Sequence, residues 1–148
     1  MNAQKTSAQV TLWVNRFVFL TLAAMVIFLP QMLQWYTRYR YLTESAHIAV
    51  MAAMYCCAVF AAVALWNMDC LLRNIIKGKI FIRRNVARIH NIQWCCGSIS
   101  LVSIPAAIFY LPLIFLTVIM AFMCLIMWVV ANVMDAAVVI REENDLTI

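Results

Sequence analysis

Six cysteines and two histidines are the residues of this chain whose types most readily do chemistry. Cys56, Cys57, Cys70, Cys95, Cys96 and Cys124, with His47 and His90, would make a soft-metal, haem or redox centre if several met at one depth. Their spacing argues against it. Neighbours such as Cys56–Cys57 and Cys95–Cys96 point about 100° apart on a helix, a poor chelate. No C-x-x-C pair occurs. His47 and His90 lie at opposite ends of apolar stretches, about 20 helical residues apart in depth at roughly 1.5 Å each. Only Cys70 could approach Cys95 or Cys96. Free cysteine behaves as a small hydrophobe, so reduced thiols are expected, with no metal, no cofactor and no catalytic residue.

The carboxylates offer little more. No Asp, Glu, Lys or Arg falls in the middle of an apolar run, where a proton path or transport site would show itself. Asn67, Asp69, Asn132 and Asp135 fall at one edge of these runs. With Asn15 and Arg16 they are expected to form a polar cluster that closes one end of the fold. The chain is therefore not expected to be an enzyme.

Those residues are carried on four long apolar segments. Hydrophobic residues make up 67% and charged residues 11% of 148 residues, against roughly half and a quarter in soluble domains. A spanning helix needs about 20 mostly apolar residues. Four candidates run over about 14–33, 46–68, 92–110 and 112–134, so the fold class is all-α, an integral membrane four-helix bundle forming one domain. Lys5 and Arg16 before an apolar run imitate a signal peptide. Without a small-x-small site after Pro30, the run reads as an uncleaved first span. Tyr110-Leu111-Pro112 makes a very tight turn between the last two spans. Pro105 lies inside the third, where Ser100 and Ser103 are placed to soften the break it makes.

Orientation follows from charge. Eleven Lys and Arg face six Asp and Glu, for a formal net of +5. With the N-terminus inside, the cytoplasm holds Lys5, Arg16, Arg73, Lys77, Lys79, Arg83, Arg84, Arg88 and Arg141, and the outside only Arg38 and Arg40. The positive-inside rule selects this arrangement, with both termini cytoplasmic. Basic nucleic-acid binders carry far more charge and far less apolar surface, so no direct nucleic-acid contact is expected. On the second span Ala49, Ala52, Ala53, Ala58, Ala61 and Ala62 mark a small-residue face, suited to packing inside the bundle or to a homo-oligomer.

The segment 69–91 is the most informative. Leu71, Leu72, Ile75 and Ile76 share one helical face, and Asp69, Arg73 and Lys77 another at i, i+4 spacing. Gly78 has the place of a C-cap glycine. Val86, Ile89 and Ile92 line a second helical start. The second and third spans thus continue as amphipathic helices into the cytoplasm. Arg73, Lys77, Lys79, Phe81, Arg83, Arg84 and Arg88 form a surface for anionic lipid or for a cytoplasmic partner. The tail 135–148 emerges on the same side, with Glu142, Glu143 and Asp145 available to the basic loop.

Two stretches carry a resemblance: Leu71-Leu72-Arg73-Asn74-Ile75-Ile76-Lys77-Gly78-Lys79-Ile80-Phe81 with Asn85 and Arg88, and the ending Glu142-Glu143-Asn144-Asp145-Leu146-Thr147-Ile148. In a four-span chain of this length they resemble the YoaS-like bacterial membrane proteins, a domain of unknown function. Such proteins are often encoded beside a Cro/C1-type helix-turn-helix regulator. The resemblance implies an inner-membrane protein that restrains or senses for that regulator. The chain departs from the family pattern in two places. Ile82 stands where a capping Ser, Thr or Asp usually follows the Phe, and Arg84 where an acid usually precedes the Asn. A small transporter or resistance-type protein, and a structural subunit of a membrane complex, are the alternatives.

Overall fold

The computed structural model describes residues 2–39 and 44–145, and all regular structure within them is helical. Helix α1 spans Asn2–Tyr39, α2 Glu44–Ile76, α3 Arg83–Phe109 and α4 Leu113–Asp145. Each contains a stretch long and apolar enough to cross a bilayer. Consecutive helices pack closely, α1 on α2, α2 on α3 and α3 on α4. The described α1–α4 ends and the α2–α3 connection therefore gather at one end of the bundle, called here the basic end.

Hydropathy decides which helix is shielded. Helix α3 is the least apolar of the four and the most buried. Its buried face includes Ile92, Cys95, Cys96, Ile99, Ser100, Ser103 and Ala106. Helix α4, the most apolar, leaves Phe115, Val118, Phe122, Val129 and Val133 exposed. Phe17, Leu20, Ile27 and Phe28 do the same on α1. Withdrawing each such side chain from water is worth roughly 1.5–3 kcal/mol, so a surface of this kind is stable only against lipid. The chain is a multi-pass membrane protein.

Helix α1 is held by one narrow seam. Ala8, Leu12, Asn15 and Leu29 are buried and Leu22, Val26 and Leu33 half-buried. With Phe19, these residues recur at alternating four- and three-residue steps, the spacing of a left-handed coiled-coil contact. The helix runs through Pro30, as a first span reaching about residue 33 requires. Helix α3 likewise runs through Pro105. The nearby hydroxyls do not serve the carbonyl of Leu101: Ser103 donates to Ile99 O at 2.7 Å, and Ser100 donates across to Thr117 O on α4 at 3.1 Å. Close approach of α3 and α4 is possible at Gly97, where an added Cβ would sit 3.4 Å from Cys124 Sγ.

The turn at 110–112 is as tight as its sequence suggests. Tyr110 N–H donates to Ala106 O, and Leu113 N–H to Tyr110 O, each at 3.0 Å. Val50, Ala106 and Leu113 form a buried cluster at this end. Leu71, Ile89 and Ala131 form another at the basic end. Ala53, Ala58 and Ala61 line an apolar cavity of about 240 Å³ that all four helices border.

Candidate functional site

The connection between α2 and α3 is a short, closely bonded hairpin. Helix α2 ends in a Schellman motif. Gly78 takes φ +75°, Gly78 N–H donates to Ile75 O at 2.9 Å, and Lys79 N–H donates to Asn74 O at 3.0 Å. A residue with a Cβ is strained at such a φ, which is why glycine stands here.

Helix α3 then begins without a conventional cap. Ile82 is the N-cap, in extended conformation, and no side chain bonds the free N–H groups from that position. Asn85 acts from inside the first turn instead, and its residue is completely buried. Its Nδ2 donates to Lys79 O and to Ile80 O, each at 2.8 Å. Its Oδ1 accepts from Asn74 Nδ2 at 2.8 Å. Asn74 lies on α2, so one side chain ties together the end of α2, the turn and the start of α3. The sequence reading did not place Asn85 among the site residues. Its signal was present, since an Asn in the first turn beside Gly78 suggests side-chain capping of a turn.

With the turn fixed, Lys77, Lys79, Phe81, Arg83 and Arg84 are exposed. Phe81 retains 40% of its surface, in a stretch whose exposed neighbours along the chain, Lys79, Arg83 and Arg84, are cations. Arg73 is engaged on its own helix, with Nη2 2.6 Å from Asp69 Oδ2. Arg88 is half-buried, and its Nε has no acceptor among the described residues.

The end of α4 reaches this hairpin. Arg83 Nε donates to Glu142 Oε1 at 3.0 Å and Arg83 Nη2 to Oε2 at 2.7 Å, a two-pronged pairing. Both groups lie beyond the uninterrupted apolar runs. Arg83's hydrogen bonds hold the Glu142 carboxyl below the usual carboxylate range, and Arg83 is held more firmly protonated in return. Glu143 is exposed one position on. The side chain of Asp145 and residues 146–148 lie outside the described residues.

The expected polar cluster divides in two. Asp69 is shared by Arg73 and by Arg16 of α1, whose Nε is 3.4 Å from Oδ1. Asn15 Nδ2 donates to Leu65 O at 3.2 Å beside them. Asn67 turns back to Val63 O on its own helix. Asn132 and Asp135 are exposed on α4, which does not pack closely against α1 or α2. The two acids are thus on separate faces because α3 stands between their helices. All six cysteines are free thiols, and Cys57 Sγ lies 3.6 Å from Ser103 Oγ.

The described chain is thus a four-span membrane protein with a prebuilt basic hairpin at one end. Its sequence matches, over residues 13–148, the family described as Protein of unknown function (DUF2975), and it belongs to that family. No curated protein and no solved structure matches it.

Proposed function

We propose that this is a non-enzymatic interaction protein of the bacterial inner membrane. Its basic hairpin docks a cytoplasmic protein, a helix-turn-helix regulator by the family resemblance. Both termini then lie in the cytoplasm, as the distribution of Lys and Arg favours. The observation that carries the reading is the hairpin's presentation of Phe81 between Lys77, Lys79 and Arg84 on a turn fixed by Asn85. A topology signal needs positive charge but no fixed turn and no exposed ring. An exposed aromatic ring and an arginine on a rigid element are residue types enriched at protein interfaces, and the lysines beside them supply electrostatic steering.

Affinity purification of the membrane protein, with the regulator encoded beside it co-expressed, tests the reading. Recovery of the regulator is expected with the wild-type chain and its loss with Phe81→Ala or with Lys79→Glu plus Arg84→Glu. Undiminished recovery and regulator activity in both variants would end the docking role. Reporter fusions to the C-terminus test the orientation independently.

A further inference from the structure

The groove between α1 and α2 has a charged mouth and an apolar bed, and neither belongs to the hairpin. At its mouth, near the basic end, Arg16 and Arg73 flank the single carboxylate of Asp69. Two cations and one anion leave a local charge of +1. Asp69 is nearly covered, at 14% side-chain exposure, whereas Arg16 and Arg73 keep 49% and 55%. The carboxylate holds the two guanidinium groups side by side and relieves their repulsion. Each guanidinium has five N–H donors and gives one to Asp69 in these pairs, so each keeps donors for an oxyanion.

Below the mouth the walls become apolar. Phe19, Leu20, Leu65 and Trp66 line, together with Asn15, Arg16, Asp69 and Arg73, a space of about 320 Å³. Phe19 also borders a second hollow of about 400 Å³ deeper in the same groove, bedded on Val26 of α1 and on Ala58 and Ala62 of α2. From Arg16 to Val26 is ten residues, or about 15 Å along the helix axis. That equals about half of a 30 Å hydrocarbon core, the depth of one leaflet. The alanines deepen the bed where a chain would lie, and Trp66, exposed beside the mouth, sits where an amphipathic ring prefers the interface.

We propose that this groove is a binding site for one anionic phospholipid of the leaflet at the basic end. The phosphodiester lies on Arg16 and Arg73, and one acyl chain runs down the α1–α2 groove past Phe19. A free phosphate would use the mouth alone and leave the apolar bed without a purpose, so the lipid is the occupant that fits both. The site would fasten α1, which is otherwise held by one seam, to α2. It does not depend on the docking reading above.

Native mass spectrometry of the full-length protein, released from micelles doped with equal phosphatidylglycerol and phosphatidylethanolamine, tests it. One tightly retained phosphatidylglycerol is expected on the wild-type chain. Arg16→Gln plus Arg73→Gln should lower the ratio of bound anionic to zwitterionic lipid by about tenfold or more, the scale of losing charge-assisted contacts. Lys79→Gln plus Arg84→Gln, which removes the same charge from the hairpin, should leave the ratio unchanged. Equal losses in both variants would show general charge attraction and overturn the site. So would displacement of the lipid by millimolar inorganic phosphate. Ala58→Leu, which fills the bed without touching the mouth, should weaken retention while the protein stays monodisperse and helical; full retention there would also overturn the proposal.

Discussion

Replacing Asn85 should open the hairpin while leaving the spans intact. The side chain makes three neutral hydrogen bonds, two to the carbonyls of Lys79 and Ile80 and one from Asn74. A neutral bond contributes about 0.5–1.5 kcal/mol net, and a buried partner left unpaired costs more. The turn carbonyls of Lys79 and Ile80 lie near water and recover part of that loss once the turn loosens. Asn85→Ala is therefore expected to destabilise the hairpin locally by about 2–4 kcal/mol. Asn85→Asp is the sharper variant. It keeps the shape and still accepts from Asn74, but it sets a carboxylate against two carbonyl oxygens, so it should be no milder than the alanine. Asn74→Ala removes one bond and should cost about 1 kcal/mol.

Trypsin reads this out directly, because Lys77, Lys79, Arg83 and Arg84 are all potential cleavage points within the hairpin. When opening is fast relative to cleavage, the rate follows the open population. At roughly 1.4 kcal/mol per factor of ten, the loss converts to about thirty- to several-hundred-fold faster cutting. Circular dichroism of the intact variants should keep the helical signal. A cleavage rate within threefold of wild type for both Asn85→Ala and Asn85→Asp would refute the assignment of Asn85 as the fastener of the turn.

Other substitutions probe the same end and the helix contacts. Gly78→Ala should speed the same cleavage, with a cost of about 1 kcal/mol from the left-handed φ rather than from crowding, since nothing lies within 4 Å of the added Cβ. Gly97→Ala should be tolerated, whereas Gly97→Leu should push α3 from α4 against Cys124 and cost about 1–3 kcal/mol, measured by thermal denaturation in detergent. The Arg83–Glu142 pair should respond to pH in one direction. Because the folded Glu142 pKa lies below its unfolded value, the contact is present at neutral pH and is lost as pH falls through the folded pKa. A spin-label distance between the end of α4 and the hairpin should therefore lengthen on strong acidification, and Glu142→Gln should remove most of that response.

Much of the fold was legible because lipid imposes a simple rule. Four apolar runs, the Tyr110-Leu111-Pro112 turn and the Gly78 helix end each follow from local composition, and each has its counterpart in the structure. Helix order in space is not local. The Asn132 and Asp135 side chains share a depth with Asp69 in the sequence pattern, but depth does not say which face a residue occupies. Only the packing of α3 between α2 and α4 separates them. The prolines were legible too: Pro30 and Pro105 both lie inside their helices, since the lost bond is cheap beside the cost of interrupting a spanning helix in hydrocarbon. Asn85 is harder to read, because two of its three partners are the carbonyls of Lys79 and Ile80, whose approach depends on how the turn folds.

The way the hairpin is fixed bears on what its charges are for. A basic loop could be ordered by ion pairs, at the expense of the charges themselves. Here the turn is ordered by a glycine, backbone bonds and the neutral Asn74–Asn85 pair. Arg83 is given to Glu142, and Arg73 to Asp69. Lys77, Lys79 and Arg84 enter no ion pair among the described residues, and each is exposed. Surface charges contribute little to folding in any case, about 0–1 kcal/mol per exposed pair. Holding three of them on a stiff turn beside an exposed phenyl ring therefore costs the fold almost nothing in charge pairing. It also spares a partner much of the ordering entropy that a flexible basic loop would impose on binding.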